Sequence, residues 1–128
     1  ASQSAPAAQS TDPLALEGAE TFKSAGCSGC HSTKTIVNKG SKGRIGPNLA
    51  HVASRRHLAA GMMDNTDGHG GVVNDGYLQN NLRAWLEDPS SIKQGNIMSA
   101  QAAVYTDPDR ALTEAQVSAL VSYLTTLK

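Results

Sequence analysis

Five consecutive residues, Cys27-Ser28-Gly29-Cys30-His31, constrain this chain more than any other stretch. Two thiols separated by two residues can each form a thioether with one of the two vinyl groups of a single porphyrin. A histidine directly after the second thiol then lies under the iron, where its imidazole can take an axial position. Small residues between the thiols let the backbone turn close to the macrocycle. Other chemistries compete for the same residues. A Cys27–Cys30 disulfide is open to an exported protein. A thioredoxin-like pair calls for a strand before the motif, and the sequence has no strand pattern there. A structural zinc site calls for four ligands, and the chain holds only two cysteines. The pentapeptide therefore favours one covalently attached haem c that consumes both thiols.

Composition agrees with that reading. Aromatic residues make up 4% of the 128, with one Trp and one Phe, so a buried porphyrin would supply bulk that the core otherwise lacks. The 11 basic and 11 acidic residues cancel, which argues against the basic face that nucleic-acid binding needs. No apolar run approaches the ~20 residues of a membrane span, and no signal peptide is present. The chain thus reads as a mature or excised soluble piece.

Residues 1–12 form a flexible linker or tail, since their Ala, Ser, Gln, Pro and Thr cannot bury enough apolar surface to offset ordering entropy. The folded domain occupies residues 13–128. Asp12-Pro13 opens a helix as N-cap and first helical residue. Ala15, Ala19 and Phe22 recur along it, and it ends near Ala25-Gly26, delivering the chain into the thiol motif. The segment 32–44 reads as a basic loop. Gly46-Pro47-Asn48-Leu49 precedes a short helix through Ser54, and the five glycines between Gly61 and Gly76 predict a loop. Asn74 or Asp75 caps a helix over 77–88, with Leu78, Leu82, Trp85 and Leu86 on one stripe and Asp88-Pro89 as its stop. Residues 90–109 read as mostly irregular. Thr113-Glu114-Ala115-Gln116 is a capping-box pattern, opening a helix with Val117, Leu120, Val121, Leu124 and Leu127 on one face. No strand pattern and no internal repeat are visible.

The pieces together resemble the monohaem class I cytochrome c family. A helix runs into C-x-x-C-H, G-P-N-L follows, a methionine sits late in an irregular stretch, and an amphipathic helix closes the chain. Four runs look closest to the cytochrome c domain of caa3-type oxidase subunit II: Gly46–Arg55, Leu82–Pro89, Ile92–Met98 and Leu112–Val117. The resemblance implies an all-α, class I cytochrome c fold, with helices around one covalently attached haem and long loops. It implies that the Pro47 carbonyl accepts a hydrogen bond from the His31 ring, and that Arg55 and Trp85 lie near a haem propionate, with core packing as the alternative for Trp85. It also implies that Gly18 and Phe22 cross Leu120 and Tyr123 where the terminal helices meet. Two features depart from the family: Ser99 follows Met98 where a proline is common, and the Gly61–Gly76 loop is longer.

The sixth iron ligand decides between functions. Its candidates are Met98, Met62, Met63, His51, His57 and His69. Met98 lies in a segment read as extended, between two helices, that could cross the second porphyrin face. Met62 and Met63 adjoin the glycine-rich loop, and His51 follows G-P-N-L too closely. Placement and the family motif together select Met98, giving the His/Met pair of cytochromes c. Iron with both axial positions filled moves electrons and does not bind oxygen. The chain then reads as an electron carrier, not a catalyst alone. Its expected partners are a donor protein (a cytochrome, a high-potential iron–sulfur protein or a quinol-oxidising complex) and the copper domain of an oxidase subunit II. Contact with a membrane would come only through the parent protein, on the extracytoplasmic side. The alternatives are a diffusible periplasmic cytochrome c and a haem sensor or peroxidase with an open sixth site.

Overall fold

The computed structural model describes residues 12–33, 48–66 and 72–128. The expectations placed on residues 1–11, the basic loop over 34–44, Pro47 and His69 fall outside these residues.

Helix α1 spans Pro13–Ser24, with the Asp12 carboxylate accepting from the Leu14 N–H at 3.0 Å and Pro13 in the first turn. It stops where Gly26 takes φ 85°, a left-handed conformation that costs glycine nothing. The closing helix α6, Glu114–Leu124, starts on the expected capping box. There the Gln116 N–H donates to Thr113 Oγ1 at 3.1 Å, and the Thr113 N–H donates to Gln116 Oε1 at 2.9 Å. Thr113→Ala removes the Oγ1 acceptor, leaving only the bond from the backbone N–H of residue 113 to Gln116, and should cost about 1 kcal/mol in denaturant unfolding.

Helices α1 and α6 make the most extensive contact between elements. A Cβ placed on Gly18 would lie 1.9 Å from the Ala119 carbonyl oxygen and 2.6 Å from the Tyr123 Cβ, so only glycine permits this approach. One turn on, the Phe22 and Tyr123 rings meet edge to face, centroids 5.7 Å apart. The crossing expected at Leu120 and Tyr123 is thus centred on Ala119 and Tyr123, while Leu120 points into the core with no exposed surface.

Helix α2, Asp75–Glu87, is capped by Asn74 and begins two residues earlier than the sequence suggested. Leu78, Leu82 and Leu86 are its buried face, and Trp85 is half-buried. These leucines join Phe22, Val117, Leu120, Val121 and Leu124 in one core, with Val52 and Ala53 from a 3-10 turn over Val52–Ser54 and Leu58 shortly after it. Arg83 ties α2 to α6 by donating to Ser118 Oγ at 2.8 Å.

Two stretches differ from the reading of the sequence. Residues 89–110 are not irregular. They fold as α3 (Pro89–Ile92), α4 (Ile97–Gln101), α5 (Ala103–Thr106) and a final 3-10 turn over Pro108–Arg110. Each helix is four or five residues long, too short to show a hydrophobic period, and local signals start two of them: Pro89 in the first turn of α3 and the Asn96 cap of α4. The second difference is a small antiparallel hairpin. Strands β1 (His57–Leu58) and β2 (Met63–Asp64) pair His57 with Asp64 and Leu58 with Met63. The turn between them carries Ala59 at φ 52° and Gly61 at φ 92°. The architecture remains all-α, with this hairpin attached to the loop side.

Beyond β2 the chain is held by polar contacts. Asp64 Oδ1 accepts from both the N–H and the hydroxyl of Thr66, at 2.7 and 2.5 Å. The Thr66 hydroxyl, then its amide, hold the Asp64 carboxyl below the ordinary 3.8. A depressed folded-state value means the contribution is present above the unfolded value and lost as pH falls through the folded one. Stability should therefore decline in acid below about pH 4, and Thr66→Val should flatten that part of the profile. An acid limb identical in Thr66→Val and wild type would contradict this.

Candidate functional site

The thiol motif is one tight turn. After Gly26 the residues Cys27–Gly29 form a 3-10 turn in which the Cys27 carbonyl accepts from the Cys30 N–H at 3.2 Å and the His31 N–H at 3.0 Å. Cys27, Cys30 and His31 therefore share one carbonyl anchor, and all three are half-buried. Nothing lies within 4 Å of a Cβ built on Gly26 or Gly29, so the turn has open space on those sides. The two thiols are not bonded to each other. Among the described residues no group of three His, Cys, Asp or Glu is placed to hold a metal ion, so the zinc alternative lacks its ligands there.

Cys27 packs against the hydrophobic core. Burial, with a smaller contribution from Cys30 and a partly offsetting backbone hydrogen bond, pushes its thiol up to about 11. Tyr105 on α5 lies near enough for charge on Cys27 to act on it. Burial first, then Cys27 and Asp88, raise its phenol, which stays protonated and donates to the Leu86 carbonyl at 2.7 Å. The sequence offered no sign of this neighbour.

Directly after the motif, the Ser32 carbonyl accepts from the Leu49 N–H at 2.6 Å. The segment from Asn48 therefore lies beside the histidine. Asn48 Oδ1 accepts from the Ala50 N–H at 2.7 Å, and Arg55 Nη2 donates to the Asn48 carbonyl. Arg55 is thus placed over this segment.

The described candidates for the distal ligand differ in exposure. His51 is buried, with Nδ1–H donating to the Lys128 carbonyl at 2.5 Å, so it braces the residues that follow α6. His57 is exposed, and Met62 is 61% exposed. Met63 and Met98 are both half-buried against the core. Met98 does not lie in an extended segment as expected. It sits in the first turn of α4, entered through Gly95 at φ 75° and capped by Asn96 Oδ1, which accepts from the Ser99 N–H at 2.7 Å. Beside it, the Ser99 hydroxyl is buried without a hydrogen-bond partner, as is His51 Nε2.

The residues fit a haem c. The turn presents two free thiols and an imidazole, a thioether borders the same core, and an unspent buried hydroxyl stands next to that thioether. Unsatisfied buried donors in native proteins usually mark a missing partner.

The chain resembles known proteins over nearly its whole length. The family model described as cytochrome c matches residues 15–128. The "Cytochrome c oxidase subunit 2" of a Bacillus species is 36% identical over 118 residues, which is 92% of this chain and 27% of that one. The protein of the same name from Alkalihalophilus pseudofirmus is 33% identical over 125 residues, 98% of this chain and 29% of its own. That from Bacillus subtilis is 33% identical over 115 residues, 90% of this chain and 27% of its own. The chain thus spans little more than a quarter of the length of these relatives. No solved structure matches it.

Proposed function

Since the chain belongs to the cytochrome c family, we propose that it carries single electrons through one haem c, bound covalently by Cys27 and Cys30 and ligated by His31 and Met98. When bound, haem c supplies a one-electron iron couple. The chain's own residues do the rest. The Cys27 carbonyl gathers the motif into one turn, and this observation carries the reading: two thiols and an imidazole stand together directly after α1. Met98 offers a soft thioether from a capped helical turn; such a ligand favours the reduced state and raises the potential. Pro47 is assigned the carbonyl that orients His31, because a ligating imidazole is held through its other nitrogen. Arg55 and Trp85 are assigned as donors toward the propionates.

The relatives' name extends the proposal. The domain over residues 13–128 would be the cytochrome c domain of a haem–copper oxidase subunit 2, tethered through residues 1–12 on the extracytoplasmic side. It would take electrons from a donor protein and pass them to the copper domain. No helix among the described residues is long and apolar enough to cross a membrane, so an anchor would come from the parent protein.

The carrier reading has a direct optical test. The oxidised protein should show a sulfur-to-iron charge-transfer band at the red end of its spectrum, and the reduced protein should refuse carbon monoxide. Rapid carbon monoxide binding would replace the carrier with a sensor or peroxidase.

A further inference from the structure

Asn65 has no exposed surface, although it stands in a stretch that the sequence marks as loop. A fully buried amide is costly unless its polar groups are satisfied. Here they are. The side-chain Nδ2 donates to the Arg55 carbonyl at 2.9 Å, and the backbone N–H donates to the Arg56 carbonyl at 2.7 Å. Oδ1 accepts from Asn81 Nδ2 at 2.7 Å, which also reaches the Asp64 carbonyl at 2.9 Å. The Asn65 carbonyl accepts from the Asn74 N–H, at the start of α2, at 2.8 Å.

These bonds have a direction. On one side lie Asn74 and Asn81, the cap and second turn of α2, which is anchored in the core. On the other lies the backbone of Arg55 and Arg56. The Arg55 guanidinium then reaches the Asn48 carbonyl, and the next residue, Leu49, is bonded to Ser32, the neighbour of His31. Hydrogen bonds joined by short covalent steps within Arg55 and from Asn48 to Leu49 thus run from α2 through Asn65 and Arg55 to the residue beside the histidine.

We propose that Asn65 is a positioning residue that holds Arg55 against the Asn48–Ser32 segment beside His31 and thereby tunes the reduction potential of the bound haem. This rests on the haem c reading above. With haem bound, a guanidinium held on this segment would disfavour the more positive oxidised state, and its effect would vary with distance in a medium of low effective dielectric. Fixing the backbone of residues 55–56 fixes that distance. Only an amide serves, because a carboxylate at this position could not donate to the Arg55 carbonyl while accepting from Asn81.

The test is a double-mutant cycle on the haem-loaded protein, read as the electron-exchange equilibrium constant with a reference couple. Asn65→Ala should shift that constant toward the oxidised form by about threefold or more, and in an Arg55→Ala background it should add almost nothing. Asn81→Ala keeps Asn65 and lies at a less buried position, so it covers the case in which Asn65→Ala does not fold; it should move the constant the same way by a smaller factor. Asn65→Gln, which retains the amide, should recover part of the shift. Equal constants in wild type, Asn65→Ala and Asn81→Ala would overturn the proposal, as would shifts of the same size with and without Arg55. Loss of the haem reading would look different: wild-type protein would carry no covalent haem at all.

Discussion

Met98→Ala is expected to turn a closed site into an open one. With the methionine in place more than about 99% of the time, any competing ligand sees its apparent affinity reduced by about a hundredfold. Removing the thioether removes that competition. The reduced protein should then bind carbon monoxide at least about a hundredfold more tightly, the red-end charge-transfer band should vanish, and the potential should fall. Met62→Ala should change none of these, since Met62 is 61% exposed. Met63→Ala is the informative comparison, because Met63 borders the same core as Met98. If Met98→Ala keeps a normal spectrum and Met63→Ala loses it, the distal ligand lies in β2 and α4 serves only as packing.

Gly18→Ala is expected to be the most damaging single-atom addition in the fold. Elsewhere in a helix this change gains about 0.5–1 kcal/mol by limiting the unfolded chain. Here the new methyl would sit 1.9 Å from the Ala119 oxygen. The obstacle is backbone, which cannot rotate away, so α1 and α6 must separate by more than an ångström. The Phe22–Tyr123 contact then opens too. Overpacking costs about 1–3 kcal/mol, and the weakened Phe22 packing adds to it, so a net loss of about 3 kcal/mol or more is expected. Helix α1 also leads directly into Gly26 and the thiol turn, so the same change should alter the haem's near-ultraviolet and visible dichroism. A loss below about 0.5 kcal/mol in denaturant unfolding would mean that the terminal helices do not cross at Gly18.

The contrast between these two sites shows what was readable. Helices α1, α2 and α6 are long enough to display a period and carry strong caps at Asp12, Asn74 and Thr113, so side-chain pattern alone located them. The thiol turn was legible because its chemistry demands adjacent residues. Helices α3 to α5 were not, because four or five residues cannot show a period and their starts depend on single caps such as Asn96. The hairpin was missed for a related reason: two-residue strands have no alternation, and glycines around Gly61 look like any loop. Asn65 carried no signal at all. Polar residues in glycine-rich stretches are normally solvated, and only its contacts with Arg55 and Asn81 reveal that this one is buried. Tyr105 and Ser99 became relevant to the site in the same way, through neighbours distant in sequence or through a hydroxyl left without one.

The most direct measurement is the mass of the proteolytic peptide containing Cys27 to His31, taken after acid–acetone extraction of the protein from cells that attach haem c. The account expects that peptide to carry the mass of one haem, and the extracted protein to keep its colour. A peptide of unmodified mass with two titratable thiols, or one lighter by two hydrogens as a Cys27–Cys30 disulfide, would contradict the assignment on which every role proposed for His31, Met98, Arg55 and Asn65 depends.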